Sequence, residues 1–150
     1  RHGTVITTYP GAYAGVRIAF LERRNLATRR LAPGHNRWGF ELDFPGEAGR
    51  PFALGLSLAG FTPGVPLGAR TIPLVPDDLL RLVLTGKLGP ILQGSPGRLD
   101  AAGRATATLD LGAFGSALSG LRVWAAAATF DAAAPQGIAT VTRAAILVLD

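Results

Sequence analysis

Three runs near the C-terminal end decide the fold: 97-GRLDAAGRATATLDL-111, 120-GLRVWAAAATFD-131 and 137-GIATVTRAAILVLD-150. Each is apolar or alternating, and glycine, proline and small residues separate one from the next. Short antiparallel strands read this way. In the first run Ala105, Ala107, Leu109 and Leu111 alternate with Thr106, Thr108 and Asp110. Ahead of them, Leu99 to Arg104 predicts a tight hairpin turn in which Gly103 takes a positive φ. In the second, Val123, Ala125, Ala127 and Thr129 alternate with Trp124, Ala126, Ala128 and Phe130. Small alanines on both faces predict a central, close-packed strand. In the third, Ile146 and Val148 oppose Ala145, Leu147 and Leu149.

Working outward, 37-RWGFELDF-44 is the cleanest alternation, with Trp38, Phe40, Leu42 and Phe44 inward and Arg37, Glu41 and Asp43 outward. After a turn cluster at 45–51, Phe52, Leu54, Leu56 and Leu58 repeat it, and the two runs are expected to pair as a hairpin. Residues 60–70 and 85–97 read as loops. The stretch 71-TIPLVPDDLLRLVL-84 has two readings: Asp77 caps a short helical turn, or Leu80, Leu82 and Leu84 form a strand.

At the other end, 4-TVITTY-9 is rich in β-branched residues and stops at Pro10-Gly11. A second strand is expected at 15–21, with Val16, Ile18 and Phe20 on one face and Arg17 on the other. Residues 22–36 contain Arg23, Arg24, Arg29 and Arg30 without a clear period, so a long, basic, partly extended loop is expected. The fold class that follows is all-β, an antiparallel, jelly-roll-like sandwich with at most one helical turn near 77–84. It forms one domain over 1–150, in which 1–36 is a strand-plus-basic-loop extension.

Composition is consistent with this. At 48% hydrophobic, 150 residues can bury a substantial core. No apolar run approaches the roughly 20 residues of a membrane-spanning helix, so no membrane span is expected. Cysteine is absent, and a disulfide framework is therefore excluded. Methionine is absent too and the chain starts at Arg1, which suggests a chain released from a precursor by signal-peptide cleavage. The net charge of +5 includes Lys87 as the sole lysine, the arginine bias of a GC-rich genome. A basic chain can still hold polyanions, and Arg23, Arg24, Arg29 and Arg30 are the candidate contacts.

Residues 37–150 resemble a β-sandwich domain that recurs in secreted proteins of planctomycetes and myxobacteria. The resemblance is carried by Phe40 to Leu42, Pro45-Gly46, Phe52 to Ser57, Ile72-Pro73-Leu74 and Pro76-Asp77-Asp78-Leu79-Leu80. It continues through Gly97 to Ala105, then Leu118-Ser119-Gly120-Leu121 and the alanine-rich strand ending at Asp131. It implies an extracellular setting and a structural or accessory module, and it brings no catalytic residues with it. Residues 1–36 depart from the pattern.

A search for chemistry yields little. His2 and His35 have no companions at metal-ligand spacing, and no nucleophile elbow supports a triad. Asp77-Asp78 reads better as a cap than as a calcium site. Glu41 and Asp43, about 7 Å apart on an outward face, form no glycosidase pair without a groove around them. No enzyme, cofactor, metal or specific nucleic acid is expected. The leading expectation is a secreted structural subunit that self-assembles as a homopolymer, a filament or surface layer. Thr4, Val5, Ile6, Thr7, Thr8 and Tyr9 would be its assembly strand, added to a neighbour's sheet edge. The alternative is a carbohydrate-binding module that contacts extracellular polysaccharide by stacking on Trp124, and the third is polyanion binding.

Overall fold

The structure, a computed structural model, describes residues 4–8, 16–20, 25–32, 36–67, 70–114 and 116–149. In chain order the elements begin with strands β1 (Thr4–Thr8), β2 (Val16–Phe20), β3 (Leu26–Ala32), β4 (Arg37–Asp43), β5 (Pro51–Ser57), β6 (Val65–Leu67) and β7 (Arg70–Ile72). Helix α1 (Asp78–Leu84) follows, then β8 (Leu92–Gln93), β9 (Gly97–Arg98), β10 (Arg104–Asp110), β11 (Arg122–Phe130), β12 (Ile138–Val141) and β13 (Ala145–Val148). The fold class is all-β, and among the described residues every ladder is antiparallel.

Two sheets face each other. One has the order β3-β4-β10-β8; the other has the order β12-β11-β5-β9, with β13 also on β11. Phe40, Leu42 and Phe44 of the first sheet are buried against Phe52, Leu54 and Leu56 of the second, joined by Leu109, Val123, Ala125 and Leu147. β11 is central, as its alanines predict. Val123, Ala125 and Ala127 belong to the main core, and Ala126 belongs to a smaller one on the other face.

That smaller core explains a third, partial layer. Helix α1 and the β6–β7 ribbon cover part of the second sheet's outer face, where Leu74, Leu80 and Ala126 cluster. Only a surface without bulky side chains lets a helix approach so closely. A Cβ on Gly55 would stand 2.8 Å from a Leu74 methyl and 3.0 Å from a Leu80 methyl.

Several expectations are corrected. The runs at 37–44 and 51–58 do not form a hairpin. β4 pairs with β3 and β10, and β5 pairs with β9 and β11. Period-two alternation fixes which face of a strand is apolar and says nothing about its neighbour. As facing strands, the two phenylalanine-leucine stripes cover each other; as a hairpin they would both need a third partner. The connection turns through Gly46 and Gly49, both at positive φ (85° and 71°).

The turn at 99–104 is tight, with Asp100 N–H donating to Arg104 O at 2.7 Å and Gly103 at φ 77°. Its flanks belong to different sheets, however, so it carries the chain between layers and closes no hairpin. The basic stretch is no loop over 26–32, which forms edge strand β3 in register with β4, Leu26 opposite Leu42 and Thr28 opposite Phe40. Only Leu26 of this strand is fully buried, and charged residues on an edge discourage pairing with other chains. The expected loops at 60–70 and 85–97 also contribute short strands, β6 and β7 from the first and β8 and β9 from the second. Between the two readings of 77–84, the helix holds, with short 3-10 turns elsewhere at 112–114, 116–118 and 135–137.

Candidate functional site

The amino-terminal segment forms a separate two-stranded ribbon. β1 pairs with β2 over five positions, Thr4 opposite Phe20, Ile6 opposite Ile18 and Thr8 opposite Val16. Among the described residues this ribbon joins neither sheet. The candidate assembly residues Thr4, Val5, Ile6, Thr7 and Thr8 therefore have a partner within their own chain, and Tyr9 lies outside the described residues.

Of the four candidate polyanion contacts, Arg23 and Arg24 lie outside the described residues, as do His2 and His35. Arg29 and Arg30, adjacent on β3, are held differently. Arg29 is 3.6 Å from Glu41 in an exposed pair. The Arg30 guanidinium lies 5.1 Å over the Trp38 ring, and its Nη2 donates to Val148 O at 3.5 Å. Arg30 thus ties the edge of one sheet to β13 of the other.

The outward acids of the first sheet are matched by arginines. Asp43 and Arg104 are directly opposite in register and 3.7 Å apart, and Arg37 and Asp110 are opposite and 3.5 Å apart. Such exposed cross-strand pairs are a solvated face. Among the described residues no group of three histidine, cysteine, aspartate or glutamate side chains is placed to hold a metal ion. Nor is any helix long and apolar enough to cross a membrane.

Asp77 is fully committed. Its Oδ1 accepts from Leu80 N–H at 2.8 Å, capping α1, and its Oδ2 accepts from Leu58 N–H at 2.6 Å and Ala59 N–H at 3.1 Å. The Ser57 hydroxyl is 3.2 Å from the same oxygen. Burial pushes this carboxyl up, but the three backbone donors and the hydroxyl outweigh it and hold Asp77 below the usual carboxylate range. The cap is also a clasp, fastening α1 to the end of β5.

Where the outer layer stops, a groove of about 490 Å³ opens beside Trp124. Trp124 stands on the outer face of β11, between Ser57 on β5 and Ile146 on β13. Its ring is half-buried against the Leu74–Leu80 cluster, and its indole N–H is sealed from water with no hydrogen-bond acceptor among the described residues. Phe61 and Ile146, 51% and 53% exposed, stand at the sides, with Thr71, Pro73 and Arg143 completing the rim. Trp124 was legible in the sequence as an aromatic with small neighbours. Phe61 was not, because it comes from a segment read as loop. Ile146 was read as one face of a strand, and only the end of the covering layer leaves it open.

A second feature lies at one end of the sandwich. Arg50 bridges Asp131 at 2.7 Å and Glu47 at 3.4 Å, and Glu47 accepts from the Thr140 hydroxyl at 2.5 Å. This knot joins the β4–β5 connection to β11 and β12.

Comparison with family models, with curated proteins and with solved structures returns no significant match.

Proposed function

We propose that this protein is a non-enzymatic, secreted structural subunit that assembles head to tail into an extracellular filament or surface layer. The observation that carries this reading is the ribbon β1–β2, which joins neither sheet of its own sandwich among the described residues. A two-stranded ribbon alone in water is marginally stable at best, and it needs a surface to pack on. Among the described residues each of its strands has an outer edge that pairs with no other strand; β1 contains valine, isoleucine and three threonines, and β2 contains valine, isoleucine and phenylalanine. A segment of this kind is suited to adding to another copy. Contact between a donor segment and an acceptor elsewhere on the surface is heterologous, and when the rotation does not close it builds an open polymer.

This revises the mode of addition expected from sequence: the donor is a preformed ribbon rather than a lone strand. The absence of disulfides leaves main-chain pairing and apolar burial as the forces holding such a polymer. The extracellular setting follows from the resemblance of residues 37–150 to domains of secreted proteins.

Removal of residues 1–20 tests the proposal. The truncated protein is expected to remain a folded monomer, with the strand signal of its two sheets retained by circular dichroism, and to form no polymer. Free peptide 1–20, added in excess, is expected to block assembly of the intact protein. Normal polymerisation of the truncated chain would overturn the assignment.

A further inference from the structure

The end of the sandwich that holds the Arg50 knot also has a shallow pocket of about 380 Å³, a size in the range of ligand sites. Its walls include Gly49, Arg50, Pro51, Phe130 and Asp131. We propose that this pocket binds a pyranose ring of a neutral polysaccharide, with Phe130 stacked on the ring and Arg50 and Asp131 bonded to two neighbouring hydroxyls. The proposal goes beyond the assembly reading and does not rest on it.

The polar half of the pocket is built before any ligand arrives. Arg50 Nη2 is 2.7 Å from Asp131 Oδ2, and Arg50 Nη1 is 3.4 Å from Glu47 Oε1. Glu47 is steadied in turn by the Thr140 hydroxyl. Asp131 is pinned within its own turn. Its Oδ1 accepts from Ala133 N–H at 2.9 Å, its N–H donates to Gly137 O at 3.0 Å, and its carbonyl accepts from Ala134 N–H at 2.9 Å. Yet the Arg50 and Asp131 side chains are 34% and 31% exposed, within reach of a ligand. A guanidinium has five N–H donors, of which these two bridges engage two, and each carboxylate oxygen has more than one acceptor site. A fixed donor beside a fixed acceptor matches vicinal hydroxyls, each of which donates and accepts. Holding both in place beforehand spares the ordering cost of binding.

The apolar half is Phe130, the last residue of β11, 36% exposed. A partly open aromatic ring is a platform for the C–H face of a sugar. Beside it, a Cβ on Gly49 would meet nothing within 4 Å, so open space lies over the backbone there. The pocket thus pairs one flat apolar surface with polar groups at its side, the pattern of a pyranose, apolar on its face and hydroxylated at its rim.

Charge selects against ionic ligands. Glu47 and Asp131 face Arg50, and Arg98 donates to the Gly49 carbonyl at 3.0 Å, so two negative and two positive groups balance. A phosphate or sulfate meets an Arg50 charge already neutralised, and a metal cation meets a guanidinium between the two carboxylates. The groove beside Trp124, where the sequence suggests a sugar, lacks this polar half. Its indole N–H is sealed, and its charged lining residue is Arg143 alone among the described residues.

Native affinity electrophoresis of the intact chain tests the proposal, in gels cast with glucan, galactomannan or xyloglucan and in one cast with heparin. Mobility in each gel is divided by mobility in a plain gel, which removes the effect of assembly. At least one neutral polysaccharide is expected to retard the protein. Phe130→Ser is expected to weaken that retention by at least about tenfold in apparent affinity, and so is Arg50→Lys, which keeps the charge and loses the planar fork. Phe61→Ser, in the Trp124 groove, is expected to leave it unchanged. Circular dichroism checks that each variant is folded. Should Arg50→Lys fail to fold, Asp131→Asn takes its place, since its amide oxygen still accepts from Ala133 N–H. Absence of retardation by every neutral polysaccharide, or retardation by heparin alone, would overturn the site. Retention that survives Phe130→Ser and Arg50→Lys, or that is lost with Phe61→Ser, would put the sugar elsewhere and overturn it equally.

Discussion

Gly103 shows most plainly how a residue choice is forced by its surroundings. Its φ is 77°, and a Cβ at this position would overlap the Phe44 carbonyl oxygen. Gly46 has a similar φ of 85°, but nothing lies within 4 Å of the corresponding point. Gly46→Ala is expected to cost about 1 kcal/mol, the strain of a positive φ alone. Gly103→Ala adds a backbone collision to that strain, and its cost is expected to exceed Gly46→Ala by at least about 1 kcal/mol. Urea unfolding of the two variants measures the difference, and equal costs would contradict the packing described at this turn. The same logic separates the two faces of β4. Phe40 is fully buried, and Phe40→Ala is expected to cost about 3–5 kcal/mol. Arg37 is half-exposed in its pair with Asp110, so Arg37→Ala is expected to cost less than about 1 kcal/mol. These side-chain roles were legible in the sequence, because burial follows alternation and a positive φ favours glycine.

Elements were legible in kind more than in connection. Helix α1 exists because Asp77 caps it, and the competing strand reading fails because Leu80 and Val83, one turn apart, are the positions that reach a core. Strand β3 was missed because edge strands need only one buried residue, and its arginines mask the period. The pairing of β4 and β5 was misread because a turn-sized connection between two alternating runs suggests a hairpin, whatever layer each run enters. The Asp77 clasp makes a prediction at this scale. Its carboxyl titrates lower in the folded protein than its ordinary value of 3.8, so the folded state binds its proton less readily than the unfolded chain. The stability it contributes is complete above that value and drains away as pH falls through the folded-state pKa. The Asp100 carboxyl, which accepts from the Arg104 and Ala102 N–H groups, is lowered too and adds in the same direction. Asp77→Asn is expected to lower stability at neutral pH by about 0.5–2 kcal/mol, a cap's worth. It is also expected to flatten the loss of stability below pH 3.8, as read from chemical unfolding across an acid series. An acid profile unchanged by the substitution would remove the clasp.

For the molecule as a whole, the sandwich was legible in the sequence, and the candidate site was left half drawn. A groove between layers is a property of where a covering helix and ribbon end, and no period in the chain encodes that boundary. The central claim is that one copy's amino-terminal ribbon binds another copy. The most direct measurement is the assembly state of the intact purified protein, by sedimentation velocity over a wide concentration range with electron microscopy of the same samples. The account predicts particles that lengthen with concentration into regular filaments or sheets. A single sedimenting species of monomer mass at every concentration, with no ordered particles on the grid, would contradict it.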